Sequence, residues 1–399
     1  MKKSPPELTT EGLAPDRDPV KLARQLRSRA TTYQTQGQHQ QAEALRRQAL
    51  RILEKALGPD HPSLAPLLNR LARHHEDRGE YPEAEQLYQR AIKILEKISG
   101  DAKAEQSYAW SLASLANLYR IQGRYAQSEP LFQQALAAAE KNFGPDDPRL
   151  SGLLNNHAVL YKYMGKFDEG ERLYRRALTI TEKALGPAHP EVATIYHNLG
   201  GLEHARGRYA HGEPFARRAV EIRERALGPD HLDVAADLAA LAGILDGQGK
   251  YEESEPIYNR VLAIFERAYG PEHYEVAINL NNLAALKQAQ GKSAEAEQFY
   301  QRALAIKEKV LGPEHPDVAM TANNLAVLYK AQGRYAEAEP LYQRSLSIFE
   351  RALGPAHPKV ITCLMNYAGL LRKMNRPAEA LVLETRAKAH EETQRGPDG

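Results

Sequence analysis

The sequence predicts an all-α protein, a right-handed superhelical solenoid of about nine antiparallel helix pairs. Three observations predict it. A Gly-Pro signature recurs at Gly58 (GPDHP), Gly144 (GPDDP), Gly186 (GPAHP), Gly228 (GPDHL), Gly270 (GPEHY), Gly312 (GPEHP) and Gly354 (GPAHP), and from Gly144 onward the step is 42 residues. A second glycine stands 21 residues after each, as at Gly79, Gly165, Gly207, Gly249, Gly291 and Gly333; Gly37 extends that series backward and Asn375 replaces the glycine at its end. Between these markers, apolar residues fall at helical spacing. A fixed period of this length marks a stack of supersecondary units instead of a single core.

Taken in order, the pairs are expected at about 18–57, 62–99, 104–143, 148–185, 190–227, 232–269, 274–311, 316–353 and 358–393. Residues 1–17, rich in Pro and charge, are expected to be disordered, and 396–399 to form a tail. Each pair is expected to be two helices of about 17 to 19 residues, so roughly 25–28 Å long at about 1.5 Å per residue. The linker is a glycine helix stop followed by Pro, a polar pair, and Pro at the first position of the next helix. Asn375 fits the second series because Asn also tolerates the left-handed backbone that a helix terminus often needs. The one irregularity is the interval from Gly58 through Gly100 to Gly144, with steps of 42 and 44 residues.

Counting from the mid-pair turn residue shows the buried faces. Eleven before it stand Leu26, Leu68, Leu112, Leu154, Tyr196, Leu238, Leu280, Ala322 and Leu364; seven before stand Ala30, Ala72, Ala116, Ala158, Gly200, Ala242, Ala284, Ala326 and Ala368. These belong to an i, i+3, i+4, i+7 stripe. Five after it, every second helix has a small residue: Ala42, Ala84, Ser128, Gly170, Gly212, Ser254, Ala296, Ala338 and Ala380. A small residue at one slot in every unit means that two helix axes approach closely there.

At these columns the chain resembles the tetratricopeptide repeat. Leu325-Ala326, Tyr329, Gly333, Tyr335, Ala338 and Ser345 show the motif, and the 42-residue step with its LGPxHP linker resembles the kinesin-light-chain subtype. The resemblance covers about residues 18–393. The residues before the first helix hold no heptads, so the expectation is a stand-alone repeat protein of that subtype. The resemblance implies a concave wall, lined by the first helices, that holds a peptide.

Candidate site residues lie on that wall. Nine before the turn stand Asn156, Asn198, Asn282, Asn324 and Asn366, with Asn155, Asn281 and Asn323 beside them. Mid-helix Asn costs about 0.6 kcal/mol against Ala, so the column asks for a reason. An amide offers donor and acceptor to an extended peptide backbone; alternatively, the amides bond across neighbouring helices and stiffen the stack. Three before the turn, Arg120 with Lys162 and Lys330 with Arg372 make two basic clusters suited to acidic peptide segments. Trp110 is a candidate anchor on the same wall, or a filler for the wider step. Gly201 and Gly243 leave the wall six before the turn without side chains, near His197, Asn198 and His204. With Gly200 and Gly247 they read either as a mid-groove opening or as a soft point.

Other chemistry is not indicated. The six linker histidines (His61, His189, His231, His273, His315, His357) are a whole repeat apart, roughly 10 Å, too far to share a zinc ion, and there is no phosphate loop or GxSxG. The Glu column six after the turn, Glu43 through Glu339, reads as solvent edge or inter-repeat pairing. The reading is no enzyme, no cofactor and no metal. With 53 basic and 51 acidic residues there is no nucleic-acid or membrane bias. MKKSPPELTT lacks the apolar run of a signal peptide, and one cysteine, Cys363, suits a reducing compartment. The expectation is a cytoplasmic protein-interaction scaffold. The rival is a self-associating structural protein, or one whose groove holds its own tail.

Overall fold

In the computed structural model, residues 18–98 and 100–395 are described, the last five by backbone alone. The expected N-terminal segment 1–17, the tail 396–399 and the side chains of the polar run at 391–395 lie outside them. Eighteen α-helices and no strands are found among the described residues. They run α1 Pro19–Thr35, α2 His39–Leu57, α3 Ala65–Asp77, α4 Tyr81–Glu96, α5 Ala102–Ile121, α6 Tyr125–Phe143, α7 Leu150–Tyr163, α8 Phe167–Leu185 and α9 Pro190–Ala205. The rest are α10 Tyr209–Leu227, α11 Leu232–Gly247, α12 Tyr251–Tyr269, α13 Tyr274–Ala289, α14 Ser293–Leu311, α15 Pro316–Ala331, α16 Tyr335–Leu353, α17 Pro358–Lys373 and α18 Pro377–Arg395. A 3₁₀ turn, Pro62–Leu64, precedes α3.

The helices stand in adjacent antiparallel pairs. Two compact units are formed, one from residues up to 118 with 130–145, the other from 119–129 with 146–399. The first has a core of Leu26, Leu53, Leu64, Leu68, Ile94 and Leu95. In the second, Val261, Ile264, Phe265, Leu280 and their neighbours form one cluster, and Tyr342, Phe349, Leu364, Leu370 and Leu371 belong to another.

Except for α4, which ends at Glu96 four residues before Gly100, the marked stops fall at the glycines or at Asn375. The sixteen left-handed glycines from Gly37 to Gly354 alternate between mid-pair turns, φ 72° to 76°, and linkers, φ 84° to 90°. Asn375, φ 58°, is the one non-glycine residue among the described residues in that region. At the mid-pair turn the residue after the glycine donates to a carbonyl five residues back, as Arg334 N does to Tyr329 O at 2.9 Å, which satisfies an end-of-helix acceptor. This turn takes one residue before the glycine. First helices such as α9 are therefore 16 residues, shorter than expected, while second helices such as α10 are 19.

The linker histidines have a role that spacing did not reveal. In each of the six, Nδ1 accepts from the backbone N–H two residues on, at Ser63, Glu191, Asp233, Glu275, Asp317 and Lys359. They are side-chain N-caps, a task usually given to Ser, Thr, Asp or Asn. Pro62, Pro190, Pro316 and Pro358 follow at the first helical position, where a missing N–H costs nothing. The 44-residue step is taken up differently. Asp101, directly after Gly100, caps α5 by accepting from Lys103 N at 2.9 Å and Ala104 N at 3.3 Å, so the helix starts early and reaches 20 residues.

The small column is where the helices of a pair touch. A Cβ on Gly212 would lie 3.0 Å from Gly200 O, and one on Gly200 would lie 3.4 Å from Gly212 O. Gly247 is shaped by packing too, since a Cβ there would lie 2.3 Å from the ring of Tyr209. Gly200 and Gly247 are thus packed positions and belong neither to a mid-groove opening nor to a soft point. Gly201 and Gly243 differ: a Cβ would meet only Lys162 Nζ at 3.8 Å in the first and Tyr258 Oη at 3.6 Å in the second.

Two ladders of charge bind each repeat to the next. Four members of the Glu column pair with the residue after the following mid-pair turn, Glu129–Lys166 at 2.9 Å, Glu213–Lys250 at 2.8 Å, Glu297–Arg334 at 2.6 Å and Glu339–Arg376 at 2.7 Å, while Glu255 pairs with Lys287 at 2.7 Å. Arginines within the second helices reach back to the preceding second helix, as in Arg90–Glu54, Arg260–Glu224, Arg302–Glu266 and Arg344–Glu308. Arg90, Arg260, Arg302 and Arg344 also donate to the linker carbonyls of Pro59, Pro229, Pro271 and Pro313. Hydrogen bonds from Lys250 and then Gln248 hold the Glu213 carboxyl down at about 2. Each exposed pair stabilises by well under about 1 kcal/mol, but their common offset fixes the register between repeats.

Two alanine substitutions separate open glycines from packed ones. Gly243→Ala should raise unfolding stability by about 1 kcal/mol through helix propensity. Gly247→Ala should lower it by about 1–2 kcal/mol because the Tyr209 ring must move. Urea denaturation of the two variants checks this, and equal midpoints would contradict the packing assignment.

Candidate peptide-binding wall

Within the second unit, the amide columns are brought together across neighbouring first helices. Asn198 Nδ2 donates to Asn155 Oδ1 at 2.7 Å, Asn324 to Asn281 at 3.3 Å, and Asn366 to Asn323 at 3.4 Å. Asn155 Nδ2 in turn donates to Asn156 Oδ1 at 3.3 Å. Bonding across the stack is therefore present. It uses one polar atom of most amides and leaves the other available at a half-buried surface. Asn282 stands where Ala239 occupies the slot of the opposing amide, and it makes no side-chain hydrogen bond among the described residues.

The basic residues divide in two. Arg120 and Lys162 both lie against the exposed ring of Tyr163, at 5.4 Å and 5.3 Å from its centroid, and Tyr163 stacks on Tyr125 at 6.3 Å. Burial, and then the charge of Arg120, lower the Lys162 ammonium below its ordinary range. Lys330 sits 5.9 Å from the Tyr342 ring centroid and 3.4 Å from Asn366 O, and burial followed by Lys373 lowers it likewise. Neither lysine pairs with an acidic side chain among the described residues. Arg372 is different. Its guanidinium grips Glu384 of the same pair in a bidentate bridge, at 2.7 and 2.6 Å. Trp110, half-buried on α5, belongs to the first unit.

In the middle of the wall, the bare Gly201 stands beside Lys162 Nζ, which a Cβ there would meet at 3.8 Å. One turn before Gly201, His197 points its Nδ1 at Asp237, at 2.9 Å. Asp237 is 2% exposed and also accepts from Arg223 Nε at 2.6 Å; Arg223 is itself buried and donates to Thr194 at 3.1 Å. Burial raises the pKa of Asp246, which accepts from Ser254. Charge repeats made none of this legible. Its one sequence signal was an Asp within the apolar stripe of α11, where an unpaired carboxylate would be costly. No group of three or more His, Cys, Asp or Glu that could hold a metal ion occurs among the described residues.

The tetratricopeptide repeat family model matches residues 22–97, 149–211, 191–267, 236–309, 275–349 and 317–390, and a second tetratricopeptide repeat model matches 109–149. The chain belongs to the tetratricopeptide repeat (TPR) family. None of the curated proteins matches it. Among solved structures, it is similar to a Podosopora anserina protein assigned as a kinesin light chain with nearly identical TPR-like repeats. The identity is 25%, covering 52% of this chain and 99% of that one, with a TM-score of 0.43. It is similar to aspartyl phosphate phosphatase F from Bacillus subtilis at 15% identity, covering 95% and 96%, TM-score 0.55. A Rap protein complexed with competence and sporulation factor matches at 14% identity, covering 84% and 99%, TM-score 0.50.

This TPR wall therefore combines partly used amides, two lysines without carboxylate partners and the bare positions of Gly201 and Gly243, backed by a buried Arg–Asp–His chain. That chain fixes the orientation of His197. Replacing Asp237 with Ala should cost about 3 kcal/mol, because the buried Arg223 keeps only Thr194 and the more distant, exposed carboxylate of Asp233 at 3.7 Å. Chemical denaturation measures it, and a loss under about 1 kcal/mol would show that the network is not structural.

Proposed function

We propose that this TPR protein is a non-catalytic interaction scaffold whose wall in the second unit holds an extended, acidic peptide segment of a protein partner. The observation that carries the reading is the state of Lys162 and Lys330. Both ammonium groups are half-buried, both are lowered by burial, and neither has a carboxylate to offset the cost of desolvation. A ligand carboxylate supplies that missing charge and gains a charge-assisted hydrogen bond. Amide atoms left over from the lateral Asn bonds line the path between the two lysines. The openings at Gly201 and Gly243 give room for side chains of the ligand. The cytoplasm is the expected setting; no described helix is long and apolar enough to cross a membrane.

The test uses acidic and charge-neutral versions of peptides selected against the immobilised protein, with affinities read by calorimetry. Changing Lys162 and Lys330 together to Met should weaken the acidic peptide by at least about tenfold, or 1.4 kcal/mol, and leave the neutral version unchanged. Equal loss for both peptides, or none, sinks the reading.

The lateral bonds also support a stiffening role for the amides, and two single variants divide the roles. Asn282→Ala should weaken peptide binding while leaving thermal stability intact, since no neighbour depends on it. Asn198→Ala should lower stability by about 1 kcal/mol by orphaning Asn155. Calorimetric binding and thermal denaturation on both variants give the answer.

A further inference from the structure

The six linker histidines occupy one sequence slot, yet one of them is unlike the rest. His357 is 7% exposed, while its counterparts are half-buried or exposed. The cause lies 236 residues away in the chain, where Nε2 of His357 approaches the carbonyl oxygen of Ile121 at 3.2 Å. Ile121 ends α5, at the mid-pair turn of the third pair. Gly123 in that turn is buried, unlike the other mid-pair glycines, and a Cβ on it would lie 2.9 Å from His357 Cδ2 and 3.0 Å from Pro358 Cδ. Both partners belong to the second unit. Pairs four to eight lie between them.

One tautomer serves both contacts. Nδ1 must be bare to accept from Lys359 N at 3.0 Å, which leaves the proton on Nε2 to donate to Ile121 O. Burial pushes the ring down to about 4, so it is neutral at pH 7, as this double role requires. The missing side chain of Gly123 admits the ring edge against the turn. The pairing is thus a fitted contact between two turns that the repeat pattern gives no reason to meet. A stack in which each repeat touches only its neighbours has free curvature; a contact between its distant members removes that freedom.

We propose that the His357–Ile121 contact is a clasp that closes pairs four to eight of the second unit on themselves and sets the curvature of the wall between them. Releasing it lets the wall relax and changes the spacing between Lys162 and Lys330, whatever the wall binds.

The experiment measures the distance between spin labels on the full chain, carried by Gln127→Cys and Pro355→Cys at exposed positions flanking the contact; the native Cys363 is buried. The doubly labelled parent should show one narrow, short distance. Adding His357→Asn should abolish the short-distance population, because Asn still caps α17 but is too short to reach Ile121. Adding His315→Asn, the same change at a linker with no distant contact, should leave the distance unchanged while keeping a side-chain cap on α15. A broad distribution in the parent, or a short distance that survives His357→Asn, would overturn the clasp.

Discussion

The structure depends on two left-handed residues in every repeat. An α-helix of ordinary composition has no internal reason to stop after 16 or 19 residues, and outside α4 the stops that mark the repeat are residues with positive φ that only glycine, or Asn375, adopts cheaply. Because the stops alternate, each pair returns antiparallel and brings its small-residue column against the first helix. Only then do the apolar stripes face each other. Packing, register and the exposed wall all follow from where those turns fall.

Polar groups between repeats are used first for assembly and only then for recognition. The Glu column, the second-helix arginines and the linker carbonyls are consumed by neighbours. So are Arg372, held by Glu384, and the buried Arg223–Asp237 pair. What is left over defines the candidate wall: the second polar atom of the Asn amides, the ammonium groups of Lys162 and Lys330, and the space at Gly201 and Gly243. A charge without a carboxylate partner in a half-buried place is physically expensive, which makes these lysines more informative than the more numerous exposed cations.

Legibility in the sequence follows the same division. The turns, the small column and the buried stripes repeat with the packing that requires them, so one chain displays nine copies of the same pattern. Asn375 reads as a stop from its place at the end of the glycine series, and its positive φ makes it one. The wall columns were located by counting along a helix. Their state was not, because whether Asn198 reaches Asn155 or a ligand depends on the rotation of one helix against the next. Spacing showed only that the linker histidines are too far apart to share a metal, since His is an uncommon cap; the clue to their task lay in the proline that follows four of them. Gly247 looked unexplained because the ring that fills its place, Tyr209, comes from another pair.

By itself the sequence determined the helices, their pairing and the family, because all of these rest on interactions within 42 residues and are written repeatedly. Tertiary structure alone decided which polar side chains were already spoken for, and that His357 among six equivalent histidines meets Ile121. Those outcomes depend on small rotations and translations between repeats that add up over many pairs, and no local pattern of residues records such a sum.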